Sequence, residues 1–216
     1  MSDTLTQLIA KAQANLGDDG TIFTTALLTA SFRRALQEFN RRSPQIAAGL
    51  ITGVNDQYEY EVSDLDPLAV TILDVLRQGD NADELDVSIT YDAHNEDERV
   101  WFRLREPVTT SDILIVRYTL NHTINGLDSG TESTVLAVDD QTLVDGGCFY
   151  AVMTRATGRV ETNNLNSNTA QAYMQIAGHY QTAFNLGLTN LARRRSAPVG
   201  EPDQRAWNDQ YHNWGQ

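Results

Sequence analysis

Apolar residues spaced three and four apart mark Thr24 to Pro44 as one long amphipathic helix. Leu28, Phe32, Ala35, Leu36 and Phe39 fall on one face, and Arg33, Arg34, Arg41 and Arg42 fall mostly off it. Thr24 or Thr25 supplies a hydroxyl to cap the start, and the two arginines of the last turn suit the negative end of the helix dipole. Ser43 precedes Pro44 and is pushed out of helical geometry, which sets the stop. Before this helix, Leu5, Leu8, Ile9, Ala12 and Leu16 share the face of a first helix. Asp3 or Thr4 caps that helix, and Gly17 sits at its C′ position. Asp18–Thr21 reads as a polar loop, with Ile22 or Phe23 stapling the next helix.

After Pro44 the period changes from helical to strand-like. Gly49–Val54 is a short apolar run, Asn55–Gln57 a turn, and Tyr58–Val62 alternates, which predicts a hairpin. Ala69–Arg77, Val87–Tyr91, Arg99–Leu104 and Ile113–Leu120 read as further strands, the last the most apolar and therefore central. Residues 45–122 are thus expected to form one antiparallel sheet of about five strands. Gln78–Asp86 is an acidic surface loop, and Asn121–Ser133 a second loop.

Val135–Val138 reads as short and extended, with Asp139 capping a third helix, Gln141–Arg159. Gly146 and Gly147 lie inside that helix at a cost of roughly 1 kcal/mol each. Close approach of a neighbouring backbone would explain them. A fourth helix starts at Asn168 or Thr169 and runs to about Arg195, with Tyr173, Ile176, Ala177, Tyr180, Phe184 and Leu188 as its stripe. Pro198, Gly200 and Pro202 then forbid a helix. The pattern predicts an α+β chain. Residues 1–44 and 123–195 supply two helix pairs that complete one bundle, 45–122 form an inserted antiparallel β domain, and 196–216 form an extended docking tail.

Charge sharpens this division. Residues 45–148 hold five basic and 21 acidic residues, while both flanks are near neutral, so the formal charge of −13 belongs to the middle segment. A phosphate-gripping protein carries a basic stripe instead. Cys148 is the only cysteine, which excludes an internal disulfide. The N-terminus lacks the basic start and apolar run of a signal peptide, and no stretch of 18 apolar residues suggests a membrane span.

Candidate chemistry is thin. No nucleotide loop, GxSxG or CxxC occurs, so no catalytic residue, cofactor or metal is expected. Asp92, His94 and Glu96 alternate, as a metal set on one strand face would, but a solvated strand end explains them as well. Asp80, Asn81, Asp83, Glu84 and Asp86 could surround calcium, yet they lack the glycine of an EF-hand turn. His179 reads as a helix-surface or interface histidine, and Cys148 as a small apolar residue. The arginines of the second helix, with Arg193 and Arg194, suit a solvated face or salt bridges between subunits better than phosphate. Trp207, Tyr211 and Trp214 stand among Asn, Asp and Gln, and are read as interface anchors on a partner. They could also fold back on their own bundle.

The order of these pieces resembles the head–tail adaptor (connector) proteins of long-tailed bacteriophages. A helix ending in LGDDG leads to IFTTALLTASFRRALQEFNRRSP, with its paired arginines before a proline. A strand of the type IVRYTLNHTI, an extended TVLAVDDQTLV entering a helix, and a long final helix follow. Simpler members of that family are nearly all helical, so the sheet is an insertion relative to the minimal pattern. The resemblance implies a non-enzymatic virion protein of the neck, made in the host cytoplasm. It implies a dodecameric ring docked between the portal protein and the stopper or tail-terminator. Genomic DNA would pass through without specific binding, and no membrane would be involved. Two other classes fit the same residues: another phage neck or tail-completion protein, or a non-viral binding module with an acidic β-sheet surface.

Overall fold

The computed structural model describes residues 2–78, 87–96, 99–161 and 167–196. Over these residues the chain is α+β, with four α-helices and two antiparallel sheets that close no barrel. It divides into two compact units. One contains the N-terminal stretch to Ser43 and everything from Ile124 onward, and the other spans Pro44–Thr123.

The helical unit is built from α1 (Leu5–Leu16), α2 (Thr25–Arg42), α3 (Asp140–Glu161) and α4 (Ser167–Ser196). Thr4 caps α1 through a reciprocal box with Gln7, and Gly17 closes it in the left-handed region at φ 61°. Thr24 caps α2 by accepting from the Leu27 amide. The predicted faces are the buried ones: Leu8, Leu28, Phe32, Leu143 and Val144 are fully enclosed. Of the two staple candidates, Phe23 is buried and Ile22 is exposed. On α4, Ala177, Phe184 and Leu188 join the core as expected, whereas Ile176 stays in solvent.

Cross-contacts set the helix directions. The Asp3 amide donates to Asp140 Oδ2 at 3.1 Å, Cys148 Sγ to the Ala12 carbonyl at 3.8 Å, and Arg155 Nε to the Ile22 carbonyl at 2.8 Å, so α1 and α3 run in parallel. Phe184 lies at Gly146, Thr142 at Gly187, and Arg194 at Asp139, so α4 runs against α3. α2 starts beside Ile22 and passes Gly147 and Gly146 at Phe32 and Ala35, so it too runs against α3. The result is an up-down-up-down four-helix bundle.

The glycine pair of α3 has a side-chain explanation, not the neighbouring backbone expected from sequence. A Cβ on Gly146 would sit 2.8 Å from the Phe184 ring and 2.9 Å from Ala35 Cβ, and one on Gly147 would sit 2.7 Å from the Phe32 ring. Two rings occupy the space that methyl groups would fill. The approach to α3 also departs from prediction. Ala137–Asp139 is a 3-10 turn, not an extended segment, and α3 begins at Asp140. Asp139 directly precedes α3, and its carboxylate takes the Arg194 guanidinium.

The β unit contains β1 (Gln45–Thr52), β2 (Glu59–Glu61), β3 (Ala69–Arg77), β4 (Val87–Ser88), β5 (Tyr91–Glu96), β6 (Arg99–Leu104) and β7 (Ile113–Leu120). They form two sheets, ordered β1-β7-β3-β4 and β2-β6-β5, rather than the single sheet expected. β7 is internal, as its apolar run predicts. The predicted β1–β2 hairpin is absent. The turn forms, with Asp56 at φ 60°. However, the Gly53 amide continues the β1–β7 ladder onto the Asp112 carbonyl, and a Cβ at Gly53 would lie 2.3 Å from the Thr109 carbonyl oxygen. The chain is thereby led to the second sheet, where Tyr60 stacks on Phe102 with centroids 5.4 Å apart. The predicted strand Val87–Tyr91 is split between β4 and β5, one in each sheet. Both sheets share one core, centred on Val75, Phe102, Leu114 and Val116.

Candidate functional site

Two ends of the bundle differ in chemistry. At one end α2 and α4 finish and α1 and α3 begin, and here the structure gathers four of the predicted interface arginines. Arg41 and Arg42 share the Glu38 carboxylate at 3.8 and 3.2 Å. Arg194 pairs with Asp139, whose side chain is 3% exposed while the arginine is half exposed. Arg193 is exposed beside it. Asp140 lies at the same end, where burial pushes its carboxyl up and the Asp3 amide partly offsets this. Two arginines on one carboxylate leave cationic groups facing water.

Arg33 and Arg34 do not join that end. Arg33 forms a two-point pair with Asp128 of the loop before α3, at 2.9 and 2.7 Å from Nε to the two oxygens. That hydrogen bond and the charge hold the Asp128 carboxyl below its ordinary range. Both partners are about half exposed, so the pair adds little stability. Arg34 is exposed on the same helix. Trp207, Tyr211 and Trp214 lie outside the described residues.

The opposite end carries a feature that sequence reasoning missed. A cleft of about 690 Å³ opens between the end of α1, the loop before α2, and the first half of α4. Leu16, Phe23, Val152 and Tyr173 form its apolar lining, and the exposed Ile176 and His179 border it. The signal was present in the α4 stripe, where Tyr173, Ile176 and Tyr180 exceed what α1 can cover. The loop wall is held by Asp18, which accepts amides from Gly20 at 3.0 Å, Ile22 at 3.1 Å and Phe23 at 2.7 Å. Desolvation raises the Asp18 carboxyl, and the amides from Phe23, Ile22 and Gly20 outweigh it, leaving it below the ordinary value. Tyr180 donates to the Asn15 carbonyl at 2.9 Å and joins α4 to α1. Beneath the cleft, burial pushes the Cys148 thiol up to about 12, consistent with a packing role and no reactivity.

Of the metal readings, Asp92 and His94 lie on β5 as predicted, both exposed, and Asp92 engages Arg105 at 3.1 Å. Among the described residues no group of three potential ligands could hold a metal ion. The calcium candidates of residues 80–86 lie outside the described residues. Among the described residues no helix is long and apolar enough to cross a membrane.

No family model and no curated protein matches the sequence. Two solved structures show partial fold likeness. One is a chain in the neck of an empty GTA particle computed with C6 symmetry, with TM-score 0.30 and 14% identity, covering 66% of this chain and 75% of that chain. The other comes from the virion of a native gene transfer agent particle, with TM-score 0.28 and 13% identity, covering 59% and 66%.

Proposed function

We propose that this chain is a non-enzymatic structural subunit of a phage-type neck, a head–tail adaptor that forms a ring between portal and stopper. Its likeness to gene transfer agent chains is too partial to carry the reading. The observation that carries it is the bundle itself. Helix pairs from the two ends of the chain interlock in the order of the adaptor pattern, through Phe32 and Phe184 against the α3 glycines. Paired arginines and the departure of the C-terminal tail are placed together at one end.

In such a ring the acidic segment serves the DNA channel by repelling phosphates, since adhesion to DNA requires their neutralisation. The β unit, residues 44–123, carries 16 acidic residues against five basic ones. Electron microscopy of the purified protein, alone and with its portal, tests the proposal. Rings, or decoration of the portal, are expected. A stable monomer that ignores the portal, or one that retains duplex DNA at physiological salt, overturns it.

A further inference from the structure

We infer that the open edge of β1 takes up, as an added strand, an extended segment of another protein that alternates apolar residues with lysine or arginine. The edge belongs to the β unit itself, so the inference goes beyond the adaptor reading and holds whether or not the chain forms a ring.

The outer strands of the two sheets are not alike. β4 has two residues, β2 has three and carries Glu59 and Glu61, and β5 carries Asp92, His94 and Glu96. Short length and charge are devices that keep an open edge from pairing. β1 has neither, with eight residues, Gln45–Thr52, and no charge or proline among them. The direction of its ladder shows what the edge offers. The Gly53 amide donates to the Asp112 carbonyl at 2.8 Å, on the β7 side, and the register runs unbroken from Thr52 against Ile113 to Gln45 against Leu120. Bonding direction alternates along a strand in an antiparallel ladder. Ala47, Gly49 and Ile51 therefore bond to β7, while Ile46, Ala48, Leu50 and Thr52 turn amide and carbonyl to the open side. Among the described residues no backbone bond reaches those groups.

Side chains and charge select the occupant. Ile46 and Leu50 are exposed on one face of β1, and Ile115 and Leu76 continue the Leu50 row across β7 and β3. Apolar residues on one side of an added strand extend that row. Arg117, in the row of Ala48, lies opposite Asp74 of β3. On the other face Leu65 fills the place of a Gly49 side chain, its Cδ1 2.8 Å from where a Cβ would stand. The loop that carries Leu65 brings Asp64 and Asp66 with it. Burial, and then the Asp66 charge, push up the phenol of Tyr118, the partner of Ala47. Cationic residues on that side of the added strand meet these carboxylates. The β unit as a whole carries 16 acidic residues against five basic ones, so a basic segment is drawn to it and a second copy is repelled.

The test titrates the full-length protein with a capped peptide of alternating valine and lysine, matched to β1 in length. Fluorescence anisotropy of the peptide records binding, and amide exchange of the protein records where it sits. Binding should raise the protection of the Ile46, Ala48, Leu50 and Thr52 amides and leave those of Ala47 and Gly49 as they were. A peptide with glutamate in place of lysine should bind at least about tenfold more weakly, as should one N-methylated along its bonding edge. Leu50→Lys, at an exposed position, should weaken the lysine peptide about tenfold by like-charge repulsion. Equal binding of the glutamate peptide overturns the inference. So does binding that leaves the four outward amides unprotected, or no binding at physiological salt. Protection of the same amides that grows with protein concentration before any peptide is added gives the edge to a second copy, and this too overturns the inference.

Discussion

The first three helices of the helical unit bury their apolar stripes, and the strands of the β unit do not. In the bundle the apolar stripes of α1, α2 and α3 are almost wholly enclosed, because a helix can place its polar positions on the outer face. In the β unit, β1 alternates between half-buried Ala47 and Ile51 on one face and exposed Ile46 and Leu50, 52% and 62% accessible, on the other. A strand cannot gather a continuous apolar run onto one side, since its side chains alternate. The units also differ in reach along the chain. The β unit is contiguous in sequence, whereas the bundle needs both chain ends and depends on tight contacts at Gly146 and Gly147.

The largest test of this comparison removes a core ring from each unit. Phe32→Ala and Phe102→Ala should each cost about 3–5 kcal/mol. Denaturation followed by helix-specific and sheet-specific signals should show each change lowering chiefly its own unit's midpoint. Equal shifts of both signals would show that the two cores melt as one. A smaller effect is expected at the bundle's glycines. Gly147→Ala should lose about 1–3 kcal/mol, because the methyl group meets the Phe32 ring. Gly178→Ala, on an α4 face where a Cβ meets nothing within 4 Å, should gain about 0.5–1 kcal/mol by helix propensity. The same sign at both positions would refute the close-approach explanation.

The smallest effect is a pH response that both units share. Asp18 in the bundle and Asp112 in the β unit each accept backbone amides that hold their carboxyls low. For Asp112 the leading cause is the Thr109 amide at 2.6 Å, with Arg77 adding attraction. A lowered folded value stabilises above the unfolded value of about 4 and is lost as pH falls through the folded one. Protection of the Gly20, Ile22, Phe23 and Thr109 amides, relative to their intrinsic exchange rates, should therefore be high at neutral pH and fall under acid. Asp18→Asn should remove that acid response in the bundle loop alone. An acid response that persists in this variant would assign it to a group other than Asp18.

What the sequence determined by itself was local. The 3.6-residue period located α1, α2 and α4, and the cap candidates for α1 and α2 included the observed Thr4, Gly17 and Thr24, because helix bonds join residues four apart and side chains repeat within the same stretch. The central place of β7 was legible too, since an apolar run must be covered on both sides. Tertiary structure decided the rest. The partner of β1 is β7, separated from it by most of the β unit, and the choice between β2 and β7 depends on the fit of Gly53 against Thr109 and Asp112, which no local pattern encodes. The gathering of Arg41, Arg42 and Arg194 at one end follows from helix direction, and the cleft from what α1 leaves uncovered on α4. Both are set by how distant stretches pack, where a contact's energy depends on shape rather than on residue type.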